Sequence, residues 1–267
     1  MTAMPLEAST APPQRPLPPI PMLRLVTVEL RKMFDTRAGF WLLASIGITS
    51  LLAMAAVVAF APAEVQTYET YATAIGAPVA IILPMVAILA VTSEWSQRSG
   101  LTTFTLVPGR GRVLAAKAVA TVLVALAAML VCIGVGVAGN LVGSAISGSS
   151  PSWETLNVAM SLAGMLAGTV NMAIGFMLGV LIRSSPGAIV AYFVYTLVLP
   201  GAFGALAAFQ DWFRDLRPWV DLNLANTRLY DEQMTPEHWA QLGVTGVLWL
   251  VLPLAVGLFL VRHSEVK

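Results

Sequence analysis

Six long apolar stretches make up most of this 267-residue sequence. Each is long enough to cross a hydrocarbon core of about 30 Å as an α-helix, whereas a membrane barrel would show alternating segments of about ten residues. Only 11% of the residues are charged, too few to cover a soluble domain of this length. The sequence therefore predicts an all-α, polytopic membrane protein with six transmembrane helices. The stretches lie at about 39–61, 74–93, 113–140, 156–182, 187–209 and 239–261.

The basic residues predict which ends of these helices face the cytoplasm. If both termini are cytoplasmic, twelve Lys and Arg residues lie in cytoplasmic segments and three, Arg214, Arg217 and Arg228, lie outside. Cytoplasmic loops of membrane proteins carry such an excess of basic residues. We therefore expect a multi-pass protein of the plasma membrane with both termini in the cytoplasm. Residues 37–267 form its six-span domain, and residues 1–21 form a disordered, proline-rich tail without the apolar core of a signal peptide.

Residues 22–36 have the pattern of an amphipathic helix directly before the first span. The amphipathicity favours an interfacial helix whose basic side chains face anionic headgroups. The alternative is a plain basic segment that only sets the topology. The apolar face is predicted to comprise Leu23, Val26, Leu30, Met33 and Phe34, with Arg24, Arg31, Lys32 and Asp35 opposite.

The connection between the second and third stretches carries a short apolar segment between charged ends. Glu94 and Arg98 are spaced to pair on one helical turn, and Pro108 and Gly109 break the chain before the third span. An apolar patch exposed in the cytoplasm, with Phe104 in it, favours a protein partner. A plain turn whose charges only fix the topology stays an equal alternative.

The connection at about 210–238 is the largest one on the other side of the membrane. Its aromatic residues favour a membrane-surface belt, and a gate over an exit path is the alternative. The pattern predicts a short interfacial helix that Pro218 interrupts, and a second helix start with Thr235 as N-cap and Pro236 as the first helical residue.

Small residues and prolines mark the spans themselves. Two glycine pairs along the fourth span, 164 with 168 and 175 with 179, permit close helix approach, chiefly within the subunit and less favourably between subunits. Pro84, Pro200 and Pro253 can kink their helices.

Residues that perform catalysis are missing from the sequence. It contains two histidines, His238 and His263, at the rim of the last span, one cysteine, Cys132, and no metalloprotease, hydrolase or P-loop motif. Charged residues occur only at the ends of the spans, whereas proton-coupled carriers keep an ionisable group inside a span. We therefore expect a protein that is not catalytic by itself, holds no metal, binds no nucleic acid and takes its energy from elsewhere.

These features together resemble the permease subunit of an ATP-binding cassette (ABC) type-2 exporter over residues 22–267. The likeness lies in an interfacial helix at 22–36, six spans, a cytoplasmic coupling helix at 94–106 and short outer helices at 210–238. The residues similar to the family's diffuse signature around the coupling helix are Ser93, Glu94, Thr102, Thr103, Pro108, Arg110, Arg112 and Lys117.

The resemblance implies a permease that exports a lipophilic substrate, as a homodimer or heterodimer bound to two cytoplasmic ATPase subunits and surrounded by membrane lipid. ATP and Mg would bind to those ATPase subunits, and this chain would bind no cofactor. A membrane scaffold or sensor without transport and a stand-alone secondary carrier stay open as alternatives. By the resemblance, Glu94, Arg98, Leu101 and Phe104 would contact the ATPase, Arg31 and Lys32 would help to seat the interfacial helix, and Pro84, Met85, Tyr192 and Tyr195 would line the translocation surface.

Overall fold

A computed structural model of the chain describes residues 20–96, 110–153, 156–230 and 234–263. These residues form helices and connecting turns, with no β-strand among them. Six of the helices are long and apolar enough to cross a membrane, which confirms the all-α class and indicates a multi-pass membrane protein. Residues 97–109, which hold most of the predicted coupling helix, and the first nineteen residues of the predicted tail lie outside the described residues.

The six candidate spans are α2, α3, α4, α5, α6 and α9. Helices α6 and α9 each contain one π turn, at Val194–Val198 and Val247–Val251, and 3-10 turns lie at Ala63–Val65 and Arg228–Tyr230. The helices are α1 (Met22–Asp35), α2 (Arg37–Phe60), α3 (Tyr68–Ser96), α4 (Arg110–Ser147), α5 (Val158–Ile182), α6 (Ser185–Phe209), α7 (Asp211–Val220), α8 (Leu222–Thr227) and α9 (Pro236–Gly246, the π turn, and Leu252–His263).

The chain order gives the bundle two ends. The α1 end holds α1, the last turn of α3, the first turn of α4 and the short turn between α5 and α6. The α7 end holds the connections from α2 to α3 and from α4 to α5, together with α7 and α8. Helix α4 continues to Ser147 instead of ending near residue 140, since Gly139 and Gly143 leave room beside Tyr71 of α3 and the two helices stay in contact.

Helix α3 lies at the centre and packs against α2, α4 and α5. Its contact with α5 depends on glycine, because a Cβ atom at Gly175 would lie 2.5 Å from the Pro84 carbonyl oxygen. One turn further, a Cβ atom at Gly179 would lie 3.1 Å from Cβ of Val91. The structure therefore confirms close helix approach at this glycine pair, and the partner is a helix of the same chain.

Helix α1 buries a different set of residues from the predicted apolar face. Val26, Glu29 and Met33 are buried, whereas Leu23 and Phe34 are 78% and 55% exposed. Leu23 and Phe34 lie roughly a quarter turn from the centre of the stripe that contacts the bundle, and their place at a membrane interface stays a prediction. An acidic side chain lies inside that stripe.

The segment between α6 and α9 is folded against the bundle. Helix α7 continues through Pro218 to Val220, so the expected interruption was wrong; the proline lies in the last turn, where only one backbone hydrogen bond is lost. Thr235 Oγ1 accepts a hydrogen bond from the His238 amide at 3.2 Å, which confirms the predicted N-cap.

Candidate functional site

A buried ion pair joins α1 to α4 at the α1 end. Lys117 Nζ lies 2.6 Å from Glu29 Oε2, and the two side chains are 1% and 6% exposed. The same ammonium donates to the Ala90 carbonyl of α3 at 3.0 Å. Lys32 Nζ lies 2.7 Å from the other Glu29 oxygen and stays partly exposed. Because both central charges are shielded from water, each needs the other, and α1 is held to α3 and α4 by charge as well as by packing.

This pair corrects one expectation from the sequence. Charged residues were expected only at the ends of the spans, but the Lys117 side chain of the third span is buried inside the bundle. Lys32 pairs with Glu29 and Arg31 is exposed, and the role of these two residues in seating α1 stays a prediction. The signal that could have found the pair is an acid in an apolar helical stripe and a lone cation inside an apolar run, since each buried charge predicts an opposite one.

A cavity of about 450 Å³ lies between α3, α4 and α5 and opens at the α7 end. Tyr68, Glu69 and Ser161 line it near the first turns of α3 and α5, together with Tyr230. Leu83 and Asn171 line its deeper part. Most lining residues are apolar, and of those in the described part of the chain Glu69 alone carries a formal charge. A concave, apolar space with a few polar groups is typical of a site for a small apolar ligand.

The deeper part of the cavity lies directly above the proline of α3. Ala80 lines the cavity, and its carbonyl lacks a helical donor because Pro84 has no N–H. The Tyr192 hydroxyl of α6 donates to that carbonyl at 3.1 Å. Tyr192 is 1% exposed, so it closes the space below Ala80 and satisfies a backbone group that water cannot reach.

The π turn of α6 is stabilised in a similar way. The Leu199 amide donates to the Val194 carbonyl, and Pro200 has no amide hydrogen, so the Tyr195 carbonyl is left without a helical donor. Asn223 Nδ2 of α8 donates to it at 3.1 Å. The α7 end is thereby hydrogen-bonded to α6.

A second hydrogen bond joins the α7 end to α9. Trp249 Nε1 in the π turn of α9 donates to the Val220 carbonyl at 2.6 Å, at the end of α7. Its indole ring packs on Tyr195 with ring centroids 5.7 Å apart. The segment from α7 to α8 therefore caps the bundle through specific contacts with two spans.

The four residues predicted for the translocation surface lie beneath the cavity. Pro84, Tyr192 and Tyr195 are buried between α3, α5 and α6, and Met85 packs beside them. None of the four lines the cavity, although Pro84 and Tyr192 shape its lower boundary through Ala80.

The predicted ATPase contacts fall mostly outside the described residues. Glu94 lies in the last turn of α3, and Arg98, Leu101 and Phe104 lie in the segment that is not described. Their contacts stay predictions. Among the described residues, no group of three His, Cys, Asp or Glu side chains is placed to hold a metal ion.

Comparisons with known proteins leave the family unassigned. The chain matches no protein-family model and no curated protein. Its function is therefore inferred from the resemblance described above and from the geometry of the ion pair and the cavity.

Proposed function

We propose that this chain is the membrane-spanning permease subunit of an exporter, driven by a separate cytoplasmic ATPase and assembled as a dimer in the plasma membrane. The observation that supports this proposal most directly is the buried pair between Glu29 and Lys117. An ATPase can move membrane helices only through elements that reach the cytoplasm. The excess of basic residues at the α1 end supports a cytoplasmic position for that end.

Two such elements converge on the same helices. Helix α1 is tied to α4 through Glu29 and Lys117, and Lys117 extends the link to α3 through the Ala90 carbonyl. Residues 97–109 connect α3 to α4 along the chain. A force on α1 or on that connection is therefore transmitted to α3 and α4, which are two of the three walls of the cavity.

The source of energy is proposed to lie outside this chain. Glu69 lies at the mouth of the cavity, and among the described residues no other one in the lining carries a formal charge. A carrier driven by protons keeps such a group along its path. The apolar lining suits the lipophilic substrate of this proposal. ATP and Mg would bind to the partner ATPase subunits.

Co-purification with an ATPase tests this function. The tagged protein, extracted from its native membrane in mild detergent, should carry an ATPase in a ratio near one to one. Leu101→Asp and Phe104→Asp should release it, because a charge at an apolar contact removes the burial that holds the partner. Trp212→Asp is the control, since Trp212 is an exposed apolar residue at the opposite end.

The outcomes separate the candidate classes. An ATPase that stays bound to both loop variants contradicts the docking assignment. If no ATPase accompanies the wild-type protein, the exporter proposal fails and a scaffold or sensor remains. Substrate uptake into liposomes without nucleotide would instead identify a secondary carrier.

A further inference from the structure

We propose that the cavity between α3, α4 and α5 binds an elongated amphiphile that carries no negative charge. Its head lies at Glu69, its chain lies along α3, and a hydroxyl or carbonyl near the end of the chain pairs with Asn171. The inference rests on the proposed function only in naming this ligand as the transported substrate. Binding itself is measured without an ATPase.

The dimensions of the cavity favour an elongated ligand. Its lining runs along α3 from Glu69 to Leu83, and fourteen residue steps at the helical rise give a length of about 21 Å. This length favours an elongated ligand that lies along α3 over a compact one.

Small residues of α3 create this space. Thr73, Gly76, Ala77 and Ala80 line one wall, and a Cβ atom added at Gly76 would meet no atom within 4 Å. Across from them, Met129 and other methionines of α4 and α5 line the cavity. Methionine is unbranched and adapts to irregular apolar shapes, so this wall suits a flexible chain.

The polar groups give the ligand a direction. Glu69 is exposed at the mouth, and no basic residue of the described ranges lines the cavity, so the site attracts a cationic or hydroxylated head and repels an anionic one. Asn171 lies ten residue steps along α5 from Ser161 at the mouth, about 15 Å deeper. Within the described residues its side-chain amide has no hydrogen-bond partner. A polar atom of the ligand at that depth would supply one.

Cys132 offers a direct readout. It is the single cysteine of the chain and lines the same cavity, partly buried. The full-length protein is placed in zwitterionic phosphatidylcholine nanodiscs, and alkylation of Cys132 by N-ethylmaleimide is followed by mass spectrometry. A bound ligand should slow the reaction by the factor 1 + [L]/Kd, which is about tenfold when the ligand is at nine times its Kd.

The probes are amphiphiles of equal chain length. Tetradecylamine should protect Cys132, 14-aminotetradecan-1-ol should protect it at lower concentration, and tetradecyl sulfate should change the rate by less than about twofold. Asn171→Leu should abolish the difference between the two amines, because it removes the partner of the terminal hydroxyl. Glu69→Gln should weaken protection by tetradecylamine and leave protection by tetradecanol unchanged.

A filled cavity provides the matched control. Gly76→Leu should place its side chain in the open space, slow alkylation without any probe and abolish further protection. Gly47→Leu is the control, because a Cβ atom at Gly47 on α2 also meets nothing within 4 Å and Gly47 does not line the cavity. That variant should behave like the wild type.

Several results would overturn the inference. They are equal protection by the sulfate and the amine, no protection by either, or undiminished protection in Gly76→Leu. Slow alkylation of Cys132 both with and without probes would mean that bilayer lipid fills the cavity, and this result also overturns the inference. The comparison of the two charges uses wild-type protein, so it stands even if a variant misfolds. Protection without any co-purifying ATPase would support the site and contradict the exporter function. A co-purifying ATPase without protection of Cys132 would support the exporter function and contradict the site.

Discussion

Removing either partner of the Glu29–Lys117 pair should loosen α1 from the bundle, and removing both should restore it. Breaking a buried ion pair by deleting one partner costs about 3–5 kcal/mol, whereas replacing both partners by apolar residues is often neutral. Here Lys117 would keep the Ala90 carbonyl as an acceptor. We therefore expect Glu29→Leu to cost about 3 kcal/mol, at the lower end of that range.

The reverse single variant should cost less. In Lys117→Met, Glu29 keeps Lys32 at 2.7 Å, and Lys32 is 43% exposed to solvent. The loss is then about 2 kcal/mol, the value of one hydrogen bond to a charged group. In Glu29→Leu with Lys117→Met, two apolar side chains fill the same space, and stability should return to within about 1 kcal/mol of the wild type. The double-mutant cycle therefore yields a coupling of about 4 kcal/mol.

Hydrogen exchange of the α1 amides measures this directly, because the opening of α1 is a local event with its own free energy. A loss of 3 kcal/mol should speed exchange of residues 22–35 by about a hundredfold. Arg31→Gln is the control on the same helix, because Arg31 is exposed, and it should leave exchange within about threefold. If the double variant is as loose as the sum of the singles, the two charges do not stabilise each other and the reasoning is refuted.

Two further variants test the contacts of α3. Tyr192→Phe should lower the free energy of unfolding by about 0.6–1.5 kcal/mol, because it leaves the Ala80 carbonyl without a donor. In a Pro84→Ala background the same change should cost almost nothing, because the amide of residue 84 then donates to that carbonyl. An equal cost in both backgrounds would show that the hydroxyl acts elsewhere. Gly175→Ala should destabilise the bundle by about 1–3 kcal/mol, since its Cβ would lie 2.5 Å from a backbone oxygen of Pro84. Gly201→Ala, whose Cβ meets nothing within 4 Å, should be neutral or stabilising, and equal melting temperatures for the two variants would contradict the packing argument.

The sequence predicts those features that depend on neighbours along the chain. Apolar length alone locates the six spans, because every residue of a helix in lipid must satisfy its backbone within the helix. The cap at Thr235 follows from three consecutive residues. The glycines at 175 and 179 show that a helix comes close, although they do not say which helix.

Features that depend on the register between distant helices could not be predicted in the same way. Glu29 and Lys117 are far apart in the sequence, and although each one indicates a buried charge, neither identifies the other as its partner. The cavity exists only because small residues of α3 face methionines of α4 and α5 at the same depth. The first turn of α3 begins at Tyr68, before the apolar stretch, because Tyr68 and Tyr71 are accommodated by glycines of α4.

The contacts of α3 explain how events at the two ends of the bundle could be linked. At the α1 end its Ala90 carbonyl accepts from Lys117, and in the middle Pro84 lies against Gly175 of α5. Above Pro84, Ala80 belongs to the cavity wall and is fixed by Tyr192. Pro84 removes one backbone hydrogen bond of α3, and the Tyr192 hydroxyl of α6 replaces it at the Ala80 carbonyl, since lipid offers no donor. A displacement of α1 would therefore be passed to α3 through Lys117, and the cavity wall above Pro84 would move with that helix.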